Sequence, residues 1–244
     1  MISIKEIFQR RKPKGKSVRG IITDSLRYVS WPLTILLYYL NLSANQVTLL
    51  GTLFILLPAY FYSLGGRTNA IIASILFIVW FIFDLADGEV ARCREESSLK
   101  GVYLDCLYHD ISMPILFFSL GIYSYKFFNN IYIIYIGFFV GLFGYATNLL
   151  RLDKYKTAAM FGKLIVKNKQ SKNRYTRKAK LDKVIFFVIN LFNHPQKMMF
   201  YFLILSLLNL IQYVIFFYFF FNACILIMKF IIEYGSGLKE FGLD

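Results

Sequence analysis

Acidic residues are scarce in this chain: 14 Asp and Glu stand against 28 Lys and Arg in 244 positions. Charge of either sign makes up only 17% of it, while 57% of the residues are hydrophobic, 19% are aromatic and the mean hydropathy is +0.53. That balance excludes an ordinary water-soluble domain and reads as an integral membrane protein. Cysteine is also sparse. Cys93, Cys106 and Cys224 show no paired spacing, which speaks against a disulfide framework and for small hydrophobes in a reducing compartment. A basic start lacks the short apolar core and small-residue cleavage site of a signal peptide, so it reads as a tail lying against anionic lipid. The net charge of +14 does not point to nucleic acid, because the Lys and Arg collect in loops between apolar runs.

Those loops and runs organise the chain. Residues 1 to 20 hold seven Lys or Arg and a single Glu. From Asp24 to Leu42 the mixture of Arg27, Ser30 and Thr34 with Trp31, Leu36 and Leu37 suits a helix lying in the membrane interface. Ser43 or Asn45 caps the first span, which runs to Leu64. Further spans are expected over residues 70 to 92, 101 to 125 and 131 to 150, the last with Gly137 and Gly141 at a spacing that permits close packing. Residues 151 to 183 hold twelve Lys or Arg and read as a cytoplasmic loop. Met198 to Ile232 is too long for one span at about 20 residues each, and Asn209 and Gln212 mark where it folds back. The expected plan is all-α, with a tail and interfacial helix (1–42), six transmembrane helices (43–236) and a second tail (237–244). Basic loops alternate with sparse turns so that both ends lie in the cytoplasm.

Half of the scarce acids sit in one stretch, Asp84 to Asp110. Carboxylates where a helix leaves a membrane require a compensating cation and read as a functional site. On helices, Asp84, Asp87, Gly88 and Ala91 share one face, and Gly101, Asp105 and His109 share another, so two faces bearing acids and small residues can meet.

Written as Asp84-x-x-Asp87-Gly88-x-x-Ala91-Arg92, eight residues, Gly101-x-x-x-Asp105-x-x-x-His109, this stretch resembles the signature of the CDP-alcohol phosphotransferase family. Every fixed position except the last matches with the spacing intact. Ala44-Asn45-Gln46-Val47-Thr48 is similar to the family's P-N-x-x-T element, with Ala44 in place of proline. The resemblance implies a six-helix membrane transferase that passes a substituted phosphate from a CDP-alcohol donor to a hydroxyl acceptor and releases CMP. The donor is CDP-diacylglycerol or a soluble CDP-alcohol, and the product belongs to phospholipid, glycolipid or glycan head-group synthesis. It further implies a homodimer, membrane lipid as partner, and two Mg²⁺ or Mn²⁺ ions held by Asp84, Asp87, Asp105 and His109. Oxygen-rich sites suit those ions, and a charged diphosphate needs them. Asn45, Thr48, Asp87, Gly88, Ala91, Arg92 and Gly101 would then bind the nucleotide.

The departure is His109, where the family places its fourth Asp. Asp110 lies about 100° further round the helix and cannot simply substitute. A neutral imidazole can ligate a metal or accept a proton near pH 7, so an active enzyme is expected, with Asp105 and His109 as its catalytic pair. Arg151 and Lys154 are candidates for a phosphate on the acceptor. The competing reading is a non-catalytic family member that kept the fold and nucleotide binding. A transporter fits poorly, because its acids would lie near the midplane. The active site is expected on the cytoplasmic face of a prokaryotic plasma membrane.

Overall fold

A computed structural model of the protein describes residues 4–10, 21–96, 98–160, 191–192 and 194–232. Its helices are α1 (Ile4–Arg10), α2 (Ile21–Tyr39), α3 (Ala44–Phe54), α4 (Leu56–Leu64), α5 (Arg67–Arg94), α6 (Leu99–Phe128), α7 (Tyr132–Met160), α8 (Pro195–Leu207) and α9 (Val214–Ile232), with a 3-10 turn at Ile211–Tyr213. The described residues contain no strand.

Among the described residues, five segments are long and apolar enough to cross a membrane: Ala44–Leu64, Arg67–Arg94, Leu99–Phe128, Tyr132–Leu150 and Ile211–Ile231. The sixth apolar segment of the expected plan is α8. Its 13 residues rise only about 20 Å against a hydrocarbon core of about 30 Å.

Local signals account for most boundaries. Ser43 caps α3 in a reciprocal box with Gln46: its side chain accepts from the Gln46 amide, and the Gln46 side chain accepts from the Ser43 amide at 2.8 Å. The first span is not one helix but two, separated at Ile55. Pro58 has no N–H for the Phe54 carbonyl four residues back, which interrupts the ladder there. Ser98 starts α6 by accepting from the Gly101 amide at 3.1 Å. The corner between α8 and α9 falls where expected: Asn209 takes a left-handed φ of 57°, and Gln212 donates to the Asn209 carbonyl at 2.7 Å. In place of a loop from residue 151, the helix α7 continues to Met160, and 161–190 lie outside the described residues.

α5 packs against α2, α3, α4 and α8, while α6 packs against α3, α4 and α7, and α7 against α9. The core is aromatic. Phe77 stacks on Trp80 at 5.3 Å and touches Phe202 at 5.7 Å, and Phe117 lies 5.0 Å from Tyr218. The α6–α7 contact rests on missing side chains: a methyl group on Gly137 would stand 2.8 Å from Gly121 Cα, and one on Gly141 would stand 2.7 Å from Pro114 Cα. Only bare backbone fits at that distance.

Candidate functional site

The motif helices meet around His109. Its Nε2 lies 2.9 Å from Asp84 Oδ1 on α5 and 3.8 Å from Asp105 Oδ1 one turn earlier on α6. Together the three residues present two carboxylate oxygens and an imidazole nitrogen within 4.8 Å of one another. This is a donor set that suits a divalent cation. Asp105 is the open member, with its side chain 52% exposed, whereas that of Asp84 is 13% exposed.

An aromatic wall sets the His109 ring. Trp80, one turn before Asp84, stacks on Tyr108 with ring centroids 4.9 Å apart, and His109 meets both rings edge-on, at 5.7 Å and 5.1 Å. The Tyr108 hydroxyl donates to the Trp80 carbonyl at 3.2 Å. Gly51 makes room for that ring, since a methyl group there would come within 3.0 Å of it. With Nδ1 buried and lacking a hydrogen-bond partner among the described residues, Nε2 is the nitrogen that faces the acids.

Asp87 stands outside this group. It is buried, and its Oδ2 accepts a 2.8 Å hydrogen bond from the Thr48 hydroxyl on α3. Asn45, one turn before Thr48, lies against Gly101, whose absent methyl group would be 3.4 Å from Asn45 Oδ1. Arg92 folds back over Gly88, its Nη1 3.3 Å from where a Cβ would be, so the absence of a side chain at Gly88 leaves space for the guanidinium. Asp110, about 100° round from His109, accepts from Asn148 of α7 at 3.0 Å and does not join the triad.

A cavity of about 560 Å³ opens over these groups, lined by Asp84, Asp87, Gly88, Arg92, Asp105 and His109 from the motif. Ala91, Asn45, Thr48 and Gly101 do not line it; Thr48 acts on it through Asp87. Arg151 and Lys154 fall on the last turns of α7, where side chains lie outside the described residues. The cavity is also lined by groups that pattern reading passed over: Asn148 and Thr147 of α7, and Asn222 and Lys229 of α9. His194, which the sequence reads as a turn residue ahead of Pro195, stands at the N-terminus of α8 and also borders the cavity. Arg27 of α2 borders it from the motif side. Single polar residues on separate helices carry no spacing signal, so nothing in the pattern could have gathered them.

The apolar helices define an integral membrane protein, and where two of them meet, an acid and imidazole cluster forms a group that could hold a metal ion. The CDP-alcohol phosphatidyltransferase family model matches residues 41–228, which is more than half of the chain, and the protein belongs to that family. Among curated proteins none matches the chain. Membership and the apolar helices together indicate a membrane transferase. The family uses divalent metals and implies a CDP-alcohol donor, a hydroxyl acceptor and membrane lipid. Asp84, Asp105 and His109 are the described residues that fit such a metal.

Proposed function

We propose that this protein transfers a substituted phosphate from a CDP-alcohol to a hydroxyl acceptor and releases CMP, with the donor either CDP-diacylglycerol or a soluble CDP-alcohol. The observation that carries the reading is the convergence of Asp84, Asp105 and His109 within 4.8 Å at the edge of a cavity large enough for a nucleotide head group. Divalent cations, when bound by Asp84 and Asp105 with Asp87 beside them, would supply the positive charge that the departing CMP needs.

His109 is the base in this reading. One imidazole lone pair serves one purpose at a time, and Nε2 alone faces the site. In the neutral ring protonated at Nδ1, Nε2 takes the proton of the acceptor hydroxyl, and Asp84, 2.9 Å away, then accepts from the imidazolium that forms. The acceptor oxygen bonds to the donor phosphorus distal to cytidine, the bond from that phosphorus to the CMP oxygen breaks, and CMP departs with the electron pair. Asp105, 3.8 Å away on the preceding turn, adds a second carboxylate that favours the charged ring. Gly88 and Arg92 receive the nucleotide side of the donor, Thr48 holds Asp87, and Ala91, Asn45 and Gly101 keep the helix ends close. The protein acts as a homodimer with its site and both termini on the cytoplasmic face.

The replacement of the family's last acid by His109 favours one other reading, a nucleotide-binding family member without turnover. Both are tested by CMP release from the purified protein in detergent, with Mg²⁺ or Mn²⁺, across a panel of CDP-alcohols that includes CDP-diacylglycerol and mixed hydroxyl acceptors. Release with one donor, lost in Asp105→Asn, establishes the transferase. Metal-dependent CDP binding with no release from any donor favours the binding protein.

A further inference from the structure

Beyond the motif, α2 places a second charged device against the same cavity. α2 precedes the residues matched by the family model, 41–228, so the family resemblance assigns it nothing. Its buried side chains Arg27, Ser30, Thr34 and Leu37 recur at helical spacing and form one face, and the helix packs on α5. There it meets Glu89, which is fully buried between Gly88 and Ala91 on the motif helix. One Glu89 oxygen accepts from the Thr34 hydroxyl at 2.8 Å. The other lies 3.6 Å from Arg27 Nη1.

A buried ion pair adds little net stability over apolar packing of the same shape, so locking α2 to α5 is a weak reason for this one. The pair is also not enclosed by the two helices. Arg27 borders the cavity beside Asp87, Gly88 and Arg92, although it is only 7% exposed. A guanidinium carries its N–H donors in a planar fork that matches the oxygens of a carboxylate or a phosphate. Glu89, 3.6 Å from Arg27 Nη1, balances a cation at the cavity wall whose planar fork suits phosphate oxygens. Because α2 packs on α5 and Arg27 faces Glu89, next to Gly88 on that helix, the phosphate it reaches is on the Asp87 and Gly88 side of the cavity, the side assigned above to the donor.

Resting on the transferase reading, we propose that Arg27 is a ligand for the diphosphate of the cytidine nucleotide donor, held in place by Glu89 and, through it, by Thr34. The test is the affinity of the full-length protein in detergent for CDP with Mn²⁺, measured by isothermal titration alongside the melting temperature. The variant Arg27→Gln with Glu89→Gln removes both charges together and keeps the Thr34 contact feasible. Losing a charge-assisted phosphate contact weakens CDP binding by at least about tenfold in that variant and raises KM for the donor more than it lowers kcat. Wild-type CDP affinity in a folded double variant overturns the proposal and leaves the pair a structural one. Should the double variant fail to fold, Arg27→Lys decides. It keeps the charge opposite Glu89 but loses the fork, so CDP binding weakens by about threefold or more; unchanged affinity overturns the proposal. Absence of metal-dependent CDP binding in the wild type overturns the transferase reading as well, whereas binding that no Arg27 variant alters overturns this inference alone.

Discussion

Thr48 donates its hydroxyl to Asp87 across 2.8 Å, tying the start of the first span to the motif helix. The bond joins the two sequence elements of this chain that resemble family signatures, and it sets apart Asp87 from the acids that gather at His109. Thr48→Val removes the donor while keeping the shape. Hydrogen bonds to charged groups contribute about 1.5–3 kcal/mol, so we expect a lower melting temperature, and CMP release reduced by roughly tenfold for each 1.4 kcal/mol that reaches the transition state. Thr48→Ser, which retains the hydroxyl, should stay near wild type in both measurements.

His109 separates turnover from binding. Nε2 is the only ring nitrogen directed at Asp84 and Asp105. His109→Ala should abolish CMP release, and His109→Asp, which restores the acid of the family signature, should retain some. Equal release by wild type and His109→Ala would remove His109 from the chemistry.

Metal binding can be read without activity. A cation that binds the folded state stabilises it by mass action, by about 2.7 kcal/mol at a concentration 100 times its dissociation constant. Mn²⁺ should therefore raise the melting temperature of the wild type. Asp84→Asn and Asp105→Asn should lose that rise. Asp110→Asn should keep it, because Asp110 is turned toward Asn148 on α7. A metal response lost equally in all three variants would contradict the assignment.

The α6–α7 contact should be intolerant of side chains at specific glycines. At Gly137 a methyl group meets Gly121 Cα and the Phe117 carbonyl, each at 2.8 Å, and backbone cannot yield cheaply. Gly137→Val should destabilise the fold by about 1–3 kcal/mol or more, the range for overpacked cores. Gly144→Ala should be nearly neutral, since its nearest neighbour, Asn222 Nδ2, would be 3.7 Å away. Thermal unfolding in detergent compares the two directly.

Helical periodicity made much of this legible in advance. Offsets of three and four residues are enough to put Asp84 with Asp87 and Asp105 with His109 on single faces, and to turn Asp110 away from its neighbour, because a helix advances by about 100° per residue. Ser43, Asn209 and Gln212 were readable as a cap and a corner for the same reason: their effects act within a few residues of chain. Pro58 was a missed local signal. Its absent N–H divides the first span at Ile55, a break that apolar content alone does not reveal.

The sequence by itself determined the helices, their apolar surfaces and the acids at the helix ends, all of which depend on spacing and composition. Only the tertiary structure decided which faces meet. It gathered Asp84, Asp105 and His109, sent Asp87 to Thr48 and Asp110 to Asn148, and brought Arg27 from α2 to Glu89, 62 positions along the chain. Those choices depend on contacts between distant segments. A period of 3.6 residues orients a side chain about its own axis, but says nothing of the helix that will stand opposite.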